Sequence, residues 1–77
     1  MQQYSVILVW SSSHAIRIEH VLNQAGIASK LIPTPRQWTS DCGISVRIKR
    51  EDAAAAKTAM DNAWAEYEEI RELDRRL

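Results

Sequence analysis

The residue with the most distinctive chemistry is Cys42, the single cysteine among 77 residues. It ends a loop that contains two prolines, and it is followed by Gly43 and a run that alternates apolar and polar side chains. A glycine at this point lets the backbone bend and turn its amide groups towards the sulfur. Those amides, with Arg36 and Arg47 near them, would favour the thiolate, which is the nucleophilic form of cysteine. The spacing therefore predicts a thiol that is presented at the surface for reaction.

Two considerations favour an unreactive Cys42. Asp41 places a negative charge beside the thiol, and such a neighbour disfavours the thiolate. Free cysteines are also commonly small, buried members of an apolar core. A reactive thiol and a packing residue therefore both stay open. A single cysteine does exclude an intrachain disulfide and a four-cysteine zinc site.

No other group of residues indicates catalysis or metal binding. His14 and His20 are six positions apart, so on a helix their side chains point about 120° apart. Neither has the cysteine or aspartate neighbours that would complete a metal site. The sequence also lacks a phosphate-binding glycine loop, a plausible carboxylate pair and a Ser–His–Asp set. We expect no catalytic activity, no metal and no cofactor.

The composition, with 45% apolar and 26% charged residues, is that of an ordinary folded domain. At this length we expect one domain, 1–77, with a small core. The longest apolar run, 6–10, is far shorter than the roughly 20 residues of a membrane helix. The first three residues, Met-Gln-Gln, lack the positive start of a signal peptide. We therefore expect a cytoplasmic protein with no membrane partner.

The formal net charge is zero, but the charges are unevenly distributed. Residues 1–50 have six cationic and two acidic side chains, whereas residues 51–77 have four cationic and eight acidic ones. The two parts can neutralise each other within one chain or between copies, and zero net charge does little to oppose self-association. The acidic C-terminal part argues against a nucleic acid as partner.

Hydrophobic patterning predicts three strands and one helix in residues 1–49. The apolar run 5–10, rich in β-branched residues, predicts a buried strand. Residues 11–13, Ser-Ser-Ser, supply a turn and an N-cap hydroxyl, and residues 15–25 place apolar side chains three and four apart, which predicts a helix that Gly26 ends. Residues 27–32 predict a second strand that Pro33 ends. Residues 44–49 alternate as a third strand with one buried and one solvated face.

The C-terminal third has helical periodicity. From Ala53 to Ile70, apolar residues recur at spacings of three and four, and no glycine or proline interrupts residues 51–77. This pattern predicts a helix of about 40 Å, longer than the sheet can cover. We expect residues 59–77 to extend from an α+β body, 1–58, and to form an oligomer contact. The expected contact residues are Met60, Ala63, Trp64, Tyr67 and Ile70.

The predicted order of elements is β-α-β-β-α. A right-handed crossover between parallel first and second strands leaves room for the third strand between them. The predicted fold class is α+β, a ferredoxin-like split β-α-β arrangement. It has a three-stranded sheet of order 1-3-2 and a long C-terminal helix.

The segment around Cys42 resembles a known family. Residues 31–36 read Leu-Ile-Pro-Thr-Pro-Arg, and after a short polar loop they are followed by Cys42-Gly43 and by Ile-Ser-Val-Arg at 44–47. This combination is similar to the Se/S carrier protein-like family, a family of unknown function, and the resemblance covers about residues 5–60. It implies a small α+β domain in which Cys42 holds sulfur or selenium.

The sequence departs from the family pattern at three places. Trp38 stands where an aliphatic residue is usual, and Asp41 stands where a small polar residue is usual. Members of the family tend to end in a segment that can form a last strand, whereas residues 64–70 here have a helical pattern.

Two functions stay open after these observations. The first is a sulfur or selenium carrier, or another thiol-based accessory protein such as a redox sensor, with partner proteins as donor and acceptor. Its chalcogen-accepting thiol is Cys42, and its supporting residues are Pro33, Thr34, Pro35, Arg36, Ser40, Asp41, Gly43 and Arg47. The second is a non-catalytic interaction module that forms a homo-oligomer through its C-terminal helix.

Overall fold

The computed structural model of the chain describes residues 3–38 and 42–73. These residues form one four-stranded sheet, of order β2-β3-β1-β4, and two helices. The elements in chain order are β1 (Tyr4–Leu8), α1 (Ser12–Gln24), β2 (Ser29–Pro33), β3 (Ile44–Lys49), α2 (Ala53–Asn62) and β4 (Glu69–Leu73). A 3-10 turn, Arg50–Asp52, leads into α2. All neighbouring strands are antiparallel.

The predicted fold class is wrong at the C-terminal end, because the sheet has four strands and residues 69–73 form a strand instead of part of a long helix. α2 ends at Asn62, and Glu69–Leu73 forms β4 beside β1, with a register from Tyr4 opposite Leu73 to Leu8 opposite Glu69. The fourth strand supplies hydrogen-bond partners for the second edge of β1. The result is a small α+β domain whose order, β-α-β-β-α-β, is that of the ferredoxin-like split β-α-β arrangement.

The helix that was predicted over residues 51–77 ends at a Schellman motif. Trp64 adopts the left-handed conformation with φ of 57°, and its amide donates to the Asp61 carbonyl at 3.2 Å. The next amide, of Ala65, donates to the Met60 carbonyl at 2.9 Å, and both of these residues are buried. This pair of bonds satisfies carbonyls that the end of a helix leaves free. The motif stops α2 without the glycine that usually marks such a position.

Replacing Trp64 by glycine is expected to stabilise the protein by about 0.5–1 kcal/mol. A left-handed conformation costs an L-residue roughly 1–2 kcal/mol, which glycine avoids, and part of that gain is offset by the greater freedom of glycine in the unfolded chain. Trp64 is 89% exposed, so little buried area is lost. Thermal unfolding should show a midpoint raised by a few degrees. Trp64→Ala is the control, since it removes the indole but retains the strained conformation, and an equal rise in both variants would contradict the explanation.

The predicted oligomer contact does not exist as one helical face. Met60 is fully buried in the core of its own chain, and Tyr67 and Ile70 pack against the same core from the segment that contains β4. Ala63 is the C-terminal cap of α2, and its carbonyl accepts a hydrogen bond from Arg17 Nη2 at 2.8 Å. Of the five residues, Trp64 alone is largely exposed. We predicted a body, 1–58, and an extended helix, 59–77, but α2 ends at Asn62 and residues 69–73 form β4.

α1 begins and ends where its sequence signals predict. The Ser11 hydroxyl accepts a hydrogen bond from the His14 amide at the N-terminus. At the C-terminus Gly26 has φ of 77°, and the Ile27 amide donates to the Leu22 carbonyl at 2.9 Å. This is a second Schellman motif, so both helices end in the same way, one with glycine and one with tryptophan.

The core lies between the sheet and the two helices. It is made of buried side chains from alternate positions of the central strands and from the inner faces of the helices, which include Ile7, Val9, Ala15, Ile18, Leu22, Val46, Ile48, Ala56 and Met60. No helix among the residues that the structure describes is long and apolar enough to cross a membrane.

The opposite face of the sheet is not simply solvated. Val6 and Leu8 point to this face from β1, and both are buried, at 0% and 2% exposure. Trp38, in the segment after β2, reaches this face, since the guanidinium carbon of Arg71 lies 5.6 Å from the centroid of its ring. Arg71 stands opposite Val6 in the register of β1 and β4. The start of the loop after β2 therefore turns over the sheet rather than away from it.

Candidate functional site

Cys42 and Gly43 lie at the start of β3, next to the end of β2. Pro33 stands opposite Ile44 in the register of the two strands, and the Thr34 amide donates to the Gly43 carbonyl at 2.9 Å. The two ends of the loop 34–43 are thus joined by main-chain hydrogen bonds that continue the ladder of β2 and β3. The backbone of Gly43, directly after Cys42, therefore has a fixed position relative to the sheet.

The Thr34 hydroxyl makes the central side-chain contacts of this region. Thr34 Oγ1 donates to the Cys42 carbonyl at 2.9 Å and lies 2.7 Å from Ser45 Oγ. A hydroxyl has one proton to donate, so Ser45 is the donor of the second bond. Ser45 is fully buried, at 0% exposure, and Thr34 is the acceptor that its hydroxyl finds. A directed chain therefore runs from Ser45 through Thr34 to the backbone of Cys42.

The Cys42 side chain is buried, which corrects the expectation of a surface thiol. Its exposure is 7%, and it belongs to the core cluster that also contains Ile7, Val9 and Val46. The thiol donates a weak hydrogen bond to the Ile44 carbonyl, with Sγ and the oxygen 3.3 Å apart. A bond of this kind needs the proton of the thiol, so it is lost when the thiolate forms. The structure holds Cys42 as a packing residue of the core.

The structure brings together only part of the predicted site. Pro33, Thr34 and Gly43 lie near Cys42 at the adjoining ends of β2 and β3. Pro35 begins the next turn, where its carbonyl accepts a hydrogen bond from the Trp38 amide at 3.1 Å. Arg36 is an exposed residue of that turn, and no described contact joins it to the sulfur. Ser40 and Asp41 lie outside the described residues.

Arg47 does not face Cys42. Its guanidinium carbon lies 4.2 Å from the centroid of the Tyr4 ring, and Tyr4 stands opposite Lys49 at the far end of β3. In the strand register, Arg47 lies opposite Val6, so it belongs to the face of the sheet away from the helices. Cys42 belongs to the core on the helix side. The structure therefore does not bring Arg47 and the Cys42 sulfur together.

The backbone conformation of Gly43 does not require a glycine, although the sequence predicts a bend there. Its φ lies outside the left-handed region, and a Cβ built on it meets no atom within 4 Å. An apolar groove of about 250 Å³ adjoins it, formed by Leu31, Ile32, Pro33 and Ile44 from the ends of β2 and β3. Gly43, the residue after Cys42, is part of the lining of this groove.

The histidines form no metal site with their neighbours. Among residues 3–38 and 42–73, no three or more histidine, cysteine or acidic side chains are grouped so that they could hold a metal ion. His14 Nδ1 lies 2.7 Å from Ser11 Oγ, and its Nε2 lies 3.5 Å from a carboxylate oxygen of Glu66. These contacts connect the start of α1 to the segment before β4.

A comparison of the sequence with protein-family models gives a match that includes the segment around Cys42. The family model described as "Putative Se/S carrier protein-like" matches residues 3–72. The chain belongs to this Se/S carrier protein-like family. The match includes β4, so the last strand that the resemblance implied is present, and the departure that we predicted for the C-terminal end does not exist. No curated protein and no solved structure gave a significant match.

Ser45 is the residue of this site that sequence reasoning missed. Its place in the alternating run 44–49 predicts a solvated side chain, yet it is fully buried under the segment that follows β2. In the sequence, a serine two positions after Gly43 is only a weak signal for a site residue. Its role follows from the short distance between its Oγ and Thr34 Oγ1 in the structure. In this member of the Se/S carrier protein-like family, the hydroxyl groups of Ser45 and Thr34 connect the Cys42 carbonyl to the sheet by hydrogen bonds.

Proposed function

We propose that the protein carries sulfur or selenium on Cys42 between a donor and an acceptor protein. The observation that carries this proposal is the match to the Se/S carrier protein-like family over residues 3–72, which includes the only cysteine of the chain. The position of that cysteine supports it, because Cys42 precedes Gly43, which lines an open groove.

The chemistry of such a transfer follows from thiol–disulfide exchange. The Cys42 thiolate attacks the terminal sulfur of a persulfide on the donor, a new S–S bond forms at Sγ, and the donor sulfur leaves as a thiolate. The proton of Cys42 goes to solvent before the attack, and the donor thiolate takes one up afterwards. A selenium atom would move by the same displacement. Since the chain has no second cysteine, release requires a thiol of the acceptor or a small-molecule thiol.

Burial of Cys42 sets a condition on this mechanism. A donor cannot approach a sulfur atom on a residue that is 7% exposed, and in-line attack needs open space behind the transferred atom. The region must therefore open locally, which separates the sulfur from the Ile44 carbonyl and releases the Thr34 bonds. Local opening of a loop costs less free energy than global unfolding, so such a state is accessible in a native protein.

The same burial favours a second candidate, in which Cys42 has no chemistry. A free cysteine in an apolar core is a common packing residue. The protein would then be a non-catalytic interaction module, although not one that associates through a long C-terminal helix, because α2 ends at Asn62.

A transfer experiment separates the two candidates. The reduced protein is incubated with a cysteine desulfurase and its substrate, and its intact mass is measured. The carrier function predicts a gain of about 32 Da, or about 79 Da with a selenium source, that a reducing thiol removes. Cys42→Ser should gain nothing. A small-molecule persulfide, added to the native and to the urea-unfolded chain, is the accessibility control, and a gain in the unfolded chain without one in the native protein would contradict the carrier function.

A further inference from the structure

A cationic groove lies at the end of the sheet remote from Cys42. It has a volume of about 310 Å³, and β2, β3 and the start of β1 form its walls. Its lining includes Tyr4, Lys30, Arg47 and Lys49, with apolar surface from Ala28 and Ile48. No acidic residue of the described chain lines it. The site is distinct from the cysteine region, because Lys49 is the last residue of β3 and Cys42 precedes its first.

The cationic side chains of this groove repel one another. Lys30 stands directly opposite Arg47 in the register of β2 and β3, and Lys49 lies on the same face two residues further along. Like charges directly opposite each other on a sheet are destabilising. Within residues 3–38 and 42–73, none of the three makes an ion pair with a carboxylate, whereas Arg50, Lys57 and Arg71 each do. A bound anion would attract all three cationic side chains and so offset their mutual repulsion.

The groove also offers oriented hydrogen-bond donors. The guanidinium carbon of Arg47 lies over the Tyr4 ring, 4.2 Å from its centroid, and this contact restrains the side chain within the groove. A guanidinium presents paired N–H groups that match two oxygens of one anion, and lysines add mobile point charges around it.

We infer that this groove binds a small tetrahedral oxyanion, either a phosphate ester or sulfate. A dianion of this shape matches the three cationic side chains Lys30, Arg47 and Lys49. The volume is at the lower end of the roughly 300–1,000 Å³ range of small-molecule sites, which favours a compact ligand over a polymer. The inference does not depend on Cys42 and holds whether or not that residue carries sulfur.

The test is an NMR titration of the 15N-labelled full chain at constant ionic strength, with sodium chloride balancing the added anion. Inorganic phosphate, sulfate and glycerol 3-phosphate are the probes. We expect saturable shifts at the amides of residues 28–30 and 47–49. Lys30→Gln and Lys49→Gln should each weaken binding roughly tenfold, because each removes a charge-assisted hydrogen bond. Both lysines are exposed, so neither change threatens the fold.

Two control variants define the outcome. Lys57→Gln removes an exposed lysine of α2 that pairs with Asp61, and it should leave binding unchanged. Cys42→Ser should also retain binding, which keeps this test separate from that of the carrier function. Tighter binding of glycerol 3-phosphate than of sulfate assigns the site to a phosphate ester, and the reverse assigns it to sulfate. Shifts that do not saturate, an equal loss in Lys57→Gln, or tighter binding of single-stranded oligonucleotides that rises with their length would overturn the inference.

Discussion

A stop codon after Tyr67 is expected to unfold the protein. The shortened chain loses β4, which pairs with β1 over five residues, from Glu69 to Leu73. It also loses the Glu68 amide, which donates to the Leu8 carbonyl at 2.7 Å. β1 then becomes an edge strand although its side chains are buried on both faces. Unpaired main-chain groups on an apolar strand cost stability and promote aggregation.

The size of this effect follows from the contacts that disappear. Each lost strand hydrogen bond contributes about 0.5–1.5 kcal/mol to stability, and the half-buried Ile70 adds part of the roughly 1.5–3 kcal/mol of a fully buried aliphatic side chain. Arg50 also loses its contacts with β4, a hydrogen bond to the Leu73 carbonyl at 3.2 Å and an ion pair with Glu72. Small domains have about 3–5 kcal/mol in total. The loss therefore exceeds the available stability.

Circular dichroism and urea titration would measure the outcome. In the full-length chain, Ile70→Ala should lower the free energy of unfolding by about 1–2 kcal/mol. Its matched control is Glu69→Ala on the adjacent outward position, which loses an exposed ion pair with Arg71 and less than about 1 kcal/mol. A truncated chain that stays folded with native-like stability would show that β4 is dispensable, as the helix prediction had required.

The missing strand could have been inferred from β1 alone. A continuous apolar run such as residues 5–10 is typical of a central strand with two neighbours. A three-stranded sheet of order 1-3-2 leaves that strand at an edge, so the two predictions conflicted. The conflict favours a fourth strand, and the family resemblance implied the same element. Helical periodicity in a polar segment was the weaker signal, because tertiary pairing overrides it.

The end of α2 could not be predicted from composition. The left-handed residue of its Schellman motif is Trp64. The corresponding residue of α1 is Gly26, and because glycine is typical of this position, the end of α1 could be predicted from the sequence. A tryptophan with positive φ has no sequence signature, and the surrounding residues 65–72 are mostly good helix formers. The boundary is set by the pairing of β4 and by burial of Ala65, which are properties of the folded chain.

The burial of Cys42 was readable from the strand pattern, whereas the bonds that hold it were not. Extending the alternation of β3 back from Ile44 by two positions places Cys42 on the side of Val46 and Ile48, which faces the helices. The motif located the loop and its cysteine correctly in the chain. It gave no information on the chain of hydroxyl groups from Ser45 to Thr34, because that chain depends on distances between two strands.

Thr34→Val is expected to raise the rate of Cys42 labelling about five- to a hundredfold. The substitution removes the hydroxyl that donates to the Cys42 carbonyl and accepts from Ser45, at nearly constant volume. Leaving a buried partner unsatisfied costs about 1–3 kcal/mol, and every 1.4 kcal/mol changes an equilibrium tenfold. Because these bonds exist only in the closed conformation, their loss increases the population of the open one.

The measurement is the rate of reaction with a thiol reagent at fixed pH, compared with that of the urea-unfolded chain. The ratio of the two rates gives the free energy of opening, and equilibrium unfolding of the same variants shows whether that opening is local or global. Thr34→Ser keeps the hydroxyl and should react at nearly the wild-type rate. If wild-type Cys42 already reacted as fast as the unfolded chain, burial would not control it. If Thr34→Val reacted no faster than Thr34→Ser, the hydroxyl chain would not be what closes the site. The carrier function requires an opening that is cheaper than unfolding, because a thiol released only by global unfolding could not accept a chalcogen atom in the native protein.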